Sequence, residues 1–265
     1  MKVVILCGGL GTRMREETDY KPKPMVSIGG EPLLLHLMRS YMRHRYKDFV
    51  LCLGYKGDMV KRYFFEYPLL KNDVTLSNTG RMTIYGDPLR ENEQFDVTLC
   101  NTGQDSLTGE RVHRILPKLG NDPLFLCTYG DGLSNVDIGD VVNHHRRHGK
   151  LATCVITRPN SRYGVVGLRD EQSASESILG PLMGISSFIE KPQSSEWVNA
   201  GFFVFDRRVA EVCGGTMLET TLRDLVGMDQ LVAYRHEGFF ASCDTSKDLA
   251  ELNQLWNEGD APWTK

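Results

Sequence analysis

Short, unbroken apolar runs constrain this chain more than any other feature. Val3 to Cys7, Phe49 to Leu53, Leu124 to Thr128, Leu151 to Ile156 and Phe202 to Phe205 are each bounded by Gly, Pro, Asp or Asn. A strand with one wet face alternates polar and apolar residues, so uninterrupted runs suit strands buried on both faces. Between the first two runs, Leu34, Leu37, Met38, Tyr41 and Met42 follow Pro32 at helical spacing, and a second helix is predicted from Gly57 to Glu66. Strand, helix, strand, helix implies an α/β chain with a mainly parallel sheet covered by helices on both sides.

After residue 70 the rhythm changes. Asp73 to Leu76, Met82 to Tyr85 and Val97 to Cys100 read as short strands with no helix between them, which predicts an antiparallel or mixed patch. Arg169 to Gly184, rich in Ser, Glu and Gly, reads as an exposed loop. Near the end, Thr245 and Asp248 have the spacing of a capping box, Leu249, Leu252, Leu255 and Trp256 share a helical face, and Gly259 stops the helix. The Trp256 to Trp263 tail is available to pack against a neighbouring copy. No repeat or linker divides residues 1–265, so one domain with peripheral strands and a C-terminal helix is expected.

Composition removes several function classes. The 265 residues are long enough to bury a core without a disulfide or metal staple. Lys and Arg number 31 against 34 Asp and Glu, which argues against a broad nucleic-acid surface but leaves room for a local basic pocket. The seven cysteines are odd in number, form no CxxC pair and mostly lie in or just after apolar runs, as small buried hydrophobes in a reducing compartment do. The apolar segment after Lys2 is too short for a signal peptide and no stretch approaches a membrane span, so a cytoplasmic protein is expected.

The chemistry starts directly after the first run, at Gly8-Gly9-Leu10-Gly11-Thr12-Arg13. Glycines there present backbone N–H groups at the C-terminal edge of a parallel sheet, where such sheets bind ligands and where phosphate suits the loop. Met14 stands where a dinucleotide fingerprint needs glycine, which disfavours a nicotinamide dehydrogenase, and no P-loop Gly-Lys-Ser/Thr comes after it. Arg13 and the proline-stiffened Lys21-Pro22-Lys23-Pro24-Met25 add cations that could neutralise a triphosphate. Lys21 reads as a solvated lysine, and Lys23 as functional.

Two aspartates are candidates for a hard divalent cation. Asp131 lies between Gly130 and Gly132, so a ligand can approach its carboxylate closely, although a turn aspartate that caps its own backbone fits the same pattern. Asp244, at the entrance to the last helix, could equally be an N-cap. Asp137, Asp140 and Asp224 read as solvated helix faces, as do His144, His145 and His148. The histidines show no nucleophile-base-acid constellation.

Taken together, Gly8 to Arg13 with Lys23-Pro24-Met25, Gly54-Tyr55-Lys56-Gly57, Asn101-Thr102-Gly103, Thr108-Gly109 with Arg111, Tyr129-Gly130-Asp131-Gly132, Glu190-Lys191-Pro192, Asn199 with Gly201-Phe202-Phe203, and Ala261-Pro262-Trp263 resemble the sugar-nucleotide pyrophosphorylase (nucleotidyltransferase) family, and its cytidylyl branch in particular. The resemblance spans nearly the whole chain. It implies a Rossmann-like, glycosyltransferase-A-like fold with a central mixed, mainly parallel sheet. It also implies transfer of a cytidylyl group from CTP to a sugar 1-phosphate, with glucose 1-phosphate the expected acceptor and Mg²⁺ the cofactor, in a homo-oligomer with no nucleic-acid or membrane partner. Carried over by residue, Leu6, Gly8, Gly9, Leu10, Gly11, Thr12, Arg13, Ser106, Arg111 and Gly130 would meet the nucleotide. Lys23, Gly164, Glu190, Lys191 and Asn199 would meet the sugar phosphate, Asp131 and Asp244 the metal, and Arg13, Lys23 and Asp131 would be catalytic.

The chain also departs from the branch pattern. The family stretch Gly-Gly-Arg-Leu-Lys-Arg carries Glu110 and His113 here in place of the second glycine and the lysine, and the segment preceding Glu190 is longer than in the glucose enzymes. A different base (dTTP or UTP), a different sugar 1-phosphate, and a non-catalytic sugar-nucleotide sensor therefore stay open.

Overall fold

The apolar runs become strands because each can bury both of its faces. In the computed structural model, which describes residues 1–9, 11–86, 94–161, 163–169 and 184–265, β1 (Val3–Cys7) lies between two parallel neighbours. Val3, Ile5 and Cys7 point into one apolar cluster, while Val4 and Leu6 point into a second on the opposite face.

The chain then makes a single turn, α1 (Arg15–Thr18), a small ribbon of β2 (Ser27–Ile28) and β3 (Glu31–Pro32), and α2 (Leu33–Arg43). β4 (Asp48–Leu53) pairs in parallel with β1, and α3 (Gly57–Lys71) carries Pro68 and extends past the expected end at Glu66. Among the described residues, the antiparallel patch after residue 70 consists of β5 (Asp73–Leu76) and β6 (Met82–Tyr85). β7 (Asp96–Asn101), expected in that patch, instead extends the main sheet in parallel with β4, since Phe95, Val97 and Leu99 pack on the core beneath. Helix α4 (Thr108–Ile115), β8 (Leu124–Tyr129), β9 (Gly132–Ser134), α5 (Ile138–His148) and β10 (Ala152–Thr157) come after it.

An exposed hairpin of β11 (Val165–Leu168) and β12 (Ile185–Ile189) comes next, and the expected loop over 170–183 lies outside the described residues. The chain closes with β13 (Val198–Asp206), α6 (Leu218–Gly227), β14 (Leu231–Arg235), β15 (Phe240–Ser242) and α7 (Ser246–Asn257).

Among the described residues, the main sheet has seven strands in the order β14-β10-β13-β8-β1-β4-β7. Of these seven, only β13 runs against its neighbours, so the sheet is mixed and mainly parallel, as the sequence implies. One cluster joins it to α2, α3, α5 and α7, the other to α4 and α6. From β1 the chain winds outward through β4 and β7 on one side and returns to β8 on the other. The C-terminal ends of β1 and β8 therefore form a switch point, where an open α/β sheet leaves a crevice. Among the described residues, no helix is long and apolar enough to cross a membrane.

The tail turns inward: Trp263 is fully buried, edge-on to His36 and tilted against Phe239, and the half-buried Trp256 lies against His36. One expectation fails for a packing reason: the histidines of α5 do not all face solvent. His145 is buried, and the Thr153 hydroxyl on β10 lies 2.9 Å from its Nδ1 and 2.7 Å from His148 Nε2. Burial and the neighbouring His148 push the His145 pKa down to about 4.

Candidate active site

The crevice begins with the glycine loop. Cys7 ends β1, Gly8 and Gly9 leave the sheet, and Gly11 takes a left-handed conformation (φ 62°) that opens a short 3₁₀ turn over Thr12–Met14. The Thr18 hydroxyl closes the loop from within, 2.9 Å from the carbonyls of both Gly11 and Met14. From outside, Lys56 donates to the carbonyls of Thr18, at 3.2 Å, and Asp19. Lys56 itself holds a left-handed backbone (φ 49°) at the start of α3, which gives the Gly54-Tyr55-Lys56-Gly57 segment a task the sequence did not reveal.

Arg111 supports the loop from below. It is almost wholly buried, and its guanidinium donates to the carbonyls of Gly8, Leu53, Gly103 and Gln104 and to the Thr102 hydroxyl at 2.7–3.3 Å. A Cβ on Gly8 would lie 2.2 Å from this guanidinium, so the arginine requires the glycine. A Cβ on Gly9 would meet no protein atom within 4 Å, which leaves that side of the loop open to a ligand. Ser106 turns its hydroxyl inward to the Thr102 carbonyl at 2.5 Å.

The two aspartates meet, and β9 is the reason. Gly132 on β9 faces Ser242 on β15 across an antiparallel ladder that continues with the Cys243 N–H donating to the Asp131 carbonyl at 2.8 Å. That pairing sets Asp131 and Asp244 side by side, although they are far apart in the chain. Asp244 is not the cap of α7: Thr245 takes that place in a complete capping box with Asp248. The Lys23 ammonium lies between the carboxylates, donating to Asp131 Oδ2 at 2.6 Å and to Asp244 Oδ1 at 2.8 Å. The Ser242 hydroxyl donates to Asp244 Oδ2 at 3.0 Å, and Arg13 Nη1 lies 3.4 Å from the same oxygen.

The shifts in this cluster reflect its charges. Burial pulls the Lys23 pKa down, but Asp131 and then Asp244 outweigh it and raise the pKa above the usual lysine value. Burial raises that of Asp244, yet the Lys23 ammonium, the Ser242 hydroxyl and Arg13 bring it below the ordinary carboxylate value.

Two cavities share Tyr129 and Asp131. One, of about 120 Å³, is lined by Leu6, Gly8, Gly9, Lys23, Arg111 and Gly130. The other, of about 390 Å³, opens toward Asn199, Gly201, Phe240 and Asp244. The Tyr129 hydroxyl donates to Glu219 of α6 at 2.7 Å, and its ring fills the place a Cβ on Gly201 would need. The Asn199 side-chain oxygen Oδ1 accepts from the Gly201 N–H at 2.7 Å.

Other site candidates lie apart. Gly164 and Glu190 adjoin each other at the root of the exposed β11–β12 hairpin. Lys191, left-handed at φ 44°, lines a wider neighbouring cleft of about 810 Å³. Lys21 pairs with Glu17 at 3.0 Å, one helical turn away, and Leu10 lies outside the described residues. Sequence reasoning misses Lys56, Thr18, Thr102 and Glu219 as supports of the site. Only Lys56 and Thr102 stand in segments that the resemblance singles out.

Known proteins resemble this chain in sequence and in fold. The chain is 41% identical to glucose-1-phosphate cytidylyltransferase of Salmonella typhimurium over 99% of its own length and 98% of that protein. It is 40% identical to the enzyme of the same name from Salmonella typhi, over the same shares of both chains. In fold it is similar to UDP-glucose pyrophosphorylase from Acinetobacter baumannii, with a TM-score of 0.66 and 16% identity over 99% of this chain and 95% of that one. The family model for nucleotidyl transferases covers residues 2–238, and with it the glycine loop, Lys23 and Asp131 at the switch point. By its sequence and its sheet topology, this chain belongs to the nucleotidyl transferase family.

Proposed function

We propose that the protein transfers a cytidylyl group from CTP to glucose 1-phosphate, giving CDP-glucose and pyrophosphate. The observation that carries this reading is the convergence of Asp131 and Asp244 on one cation beside the glycine loop. The choice of CTP and glucose 1-phosphate is supported by similarity to the cytidylyltransferases over the full chain.

The attacking group is a phosphate oxygen of the sugar 1-phosphate, already anionic at neutral pH, so the reaction needs no general base. It attacks the α-phosphorus in line while pyrophosphate leaves from the opposite side. The protein has only to hold two anions together and to stabilise charge on the phosphoryl oxygens. In this reading the open side of Gly9 and the N–H groups from Gly8 to Arg13 receive the nucleotide, with Arg13 and Lys23 supplying positive charge. Arg111 and Gly130 line the nucleotide cavity, with Arg111 acting chiefly by fixing the loop, and Ser106 serves the nucleotide from beside it, its hydroxyl bonded to the Thr102 carbonyl. Asn199, Glu190, Lys191 and Gly164 serve the sugar phosphate.

The donor set fits Mg²⁺, which binds through one or two carboxylates plus phosphate oxygens and water, and an ammonium already occupies the space between the carboxylates. Asp131 and Asp244 would hold the ion, which supplies Lewis-acid neutralisation of phosphate charge.

Pyrophosphate release measured with glucose 1-phosphate and each of CTP, dTTP, UTP and GTP tests the reading. Turnover with CTP well above the others is expected; equal rates would overturn the base assignment, and no turnover with any would overturn the reaction.

A further inference from the structure

In the free protein the two carboxylates already hold a cation of the protein's own. The Lys23 side chain is only 13% exposed, and its ammonium is within hydrogen-bond distance of both Asp131 and Asp244. Its backbone is fixed between Pro22 and Pro24, but the charge sits at the end of a flexible four-carbon stem. Lys23 also lines the small cavity on which Gly9 opens, so its stem borders both the carboxylates and the place left for phosphate.

We propose that Lys23 is an internal counter-ion that a divalent cation must displace from Asp131 and Asp244, and that the released ammonium is taken up by the phosphates of the nucleotide, so that metal and nucleotide bind cooperatively. This inference rests on the nucleotidyl-transfer reading above.

Local charge requires the exchange. Among the ion pairs of the described residues, two carboxylates face Lys23 and, less closely, the largely exposed Arg13, which sets two negative charges against two positive ones. A divalent ion added with Lys23 in place would leave a partly buried excess of positive charge beside a fixed ammonium. Expelling Lys23 with no anion nearby would forfeit two short charge-assisted hydrogen bonds. Each ligand alone meets one of these penalties, and together each ligand removes the penalty the other faces. Arg13 is poorly suited to replace Lys23, because its side chain is 71% exposed and 3.4 Å away.

The test is a titration of the protein with Mn²⁺, monitored by loss of the free-ion electron paramagnetic resonance signal, with and without CTP, each CTP series being referred to a protein-free titration of Mn²⁺ with the same nucleotide so that the metal held by CTP alone is subtracted. Lys23→Met and Lys23→Gln are each expected to bind Mn²⁺ about tenfold or more tightly than the unaltered protein when CTP is absent. The unaltered protein is expected to gain affinity when CTP is added, and both variants to lose most of that gain. Lys23→Arg, which keeps the charge, should retain weak nucleotide-free binding, and Asp131→Asn added to Lys23→Met should abolish the tighter site. Unchanged or weaker Mn²⁺ binding in both neutral variants, with native melting curves, would overturn the proposal, as would indifference of the unaltered protein to CTP. Pyrophosphate release by the unaltered protein is measured alongside. Turnover without the Lys23 effect refutes the counter-ion alone, whereas the Lys23 effect without turnover refutes nucleotidyl transfer.

Discussion

The two sides of the crevice that meet at Asp131 are built on different principles. On the side of the glycine loop, a buried arginine spends its guanidinium on the carbonyls of four residues, and Gly8 and Gly54 are excluded from carrying side chains by that same group. Toward Glu190 and Lys191, the site residues sit beside an exposed hairpin whose second strand is open to water throughout. The first side is assembled by folding before a ligand arrives; on the second, the described residues around Glu190 and Lys191 stand largely exposed and have more ordering left to do on binding. This difference predicts that changes to the loop-side residues packed against Arg111 cost stability and activity together, and that changes on the hairpin side cost activity alone.

The comparison can be broken at several points. The largest effect is expected at the junction itself: Asp131→Asn should lower kcat by about 10²–10³-fold with only a modest drop in melting temperature, because it weakens one of the two carboxylate bonds to Lys23 but leaves the Asp131 carbonyl bonded to the Cys243 N–H. A large loss of stability there would mean that the carboxylate is structural.

Arg111→Met tests the loop side. It leaves several buried carbonyls without donors and should destabilise by about 3 kcal/mol in urea titration while raising KM for the nucleotide. Neutrality would deny that the arginine organises the loop.

A site remote from both sides supplies the control. His145 has its pKa lowered from 6.5 to about 4, so between these values the unfolded chain binds a proton that the folded chain refuses. Stability should therefore be complete above about pH 6.5 and fall by at most about 3 kcal/mol as pH drops to 4, and His145→Gln should flatten that dependence. Urea midpoints across the range measure it, and they separate acid loss of fold from acid loss of turnover.

Finer discrimination comes from adjacent glycines. Gly8→Ala should destabilise by about 1–3 kcal/mol, whereas Gly9→Ala should stay within about 0.5 kcal/mol of the unaltered protein and still raise the nucleotide KM. The smallest effect is expected on the hairpin side. Lys191→Ala should raise KM for the sugar phosphate by about tenfold with no shift in melting temperature, as loss of one exposed charge contact allows.

How much of the molecule is legible in the sequence depends on how far apart the interacting residues lie. The strands β1, β4 and β8 are legible because two-sided burial writes itself into consecutive residues. The Thr245–Asp248 capping box is legible because both partners fall within one helical turn. The meeting of Asp131 and Asp244 is not legible from spacing, since it depends on β9 pairing with β15, and only the family resemblance suggests it. The burial of His145 is hidden for a related reason: a run of polar residues looks solvated until Thr153 from the next strand supplies the partner. Resemblance places Arg111 at the nucleotide, but no local pattern announces that its donors are turned toward the chain.

The reversed strand β13 has a consequence for what the crevice can contain. Every parallel strand reaches this rim with its last residues, and the chain departs from it there as an outgoing loop. β13 arrives with its first residues, and Asn199 and Gly201 are thus delivered by an incoming segment that has just left the β11–β12 hairpin. A change in the length of that hairpin therefore acts on the Asn199 end of the crevice through one connection, while β1 and β8, which lead to the glycine loop and to Asp131, keep their pairing with each other.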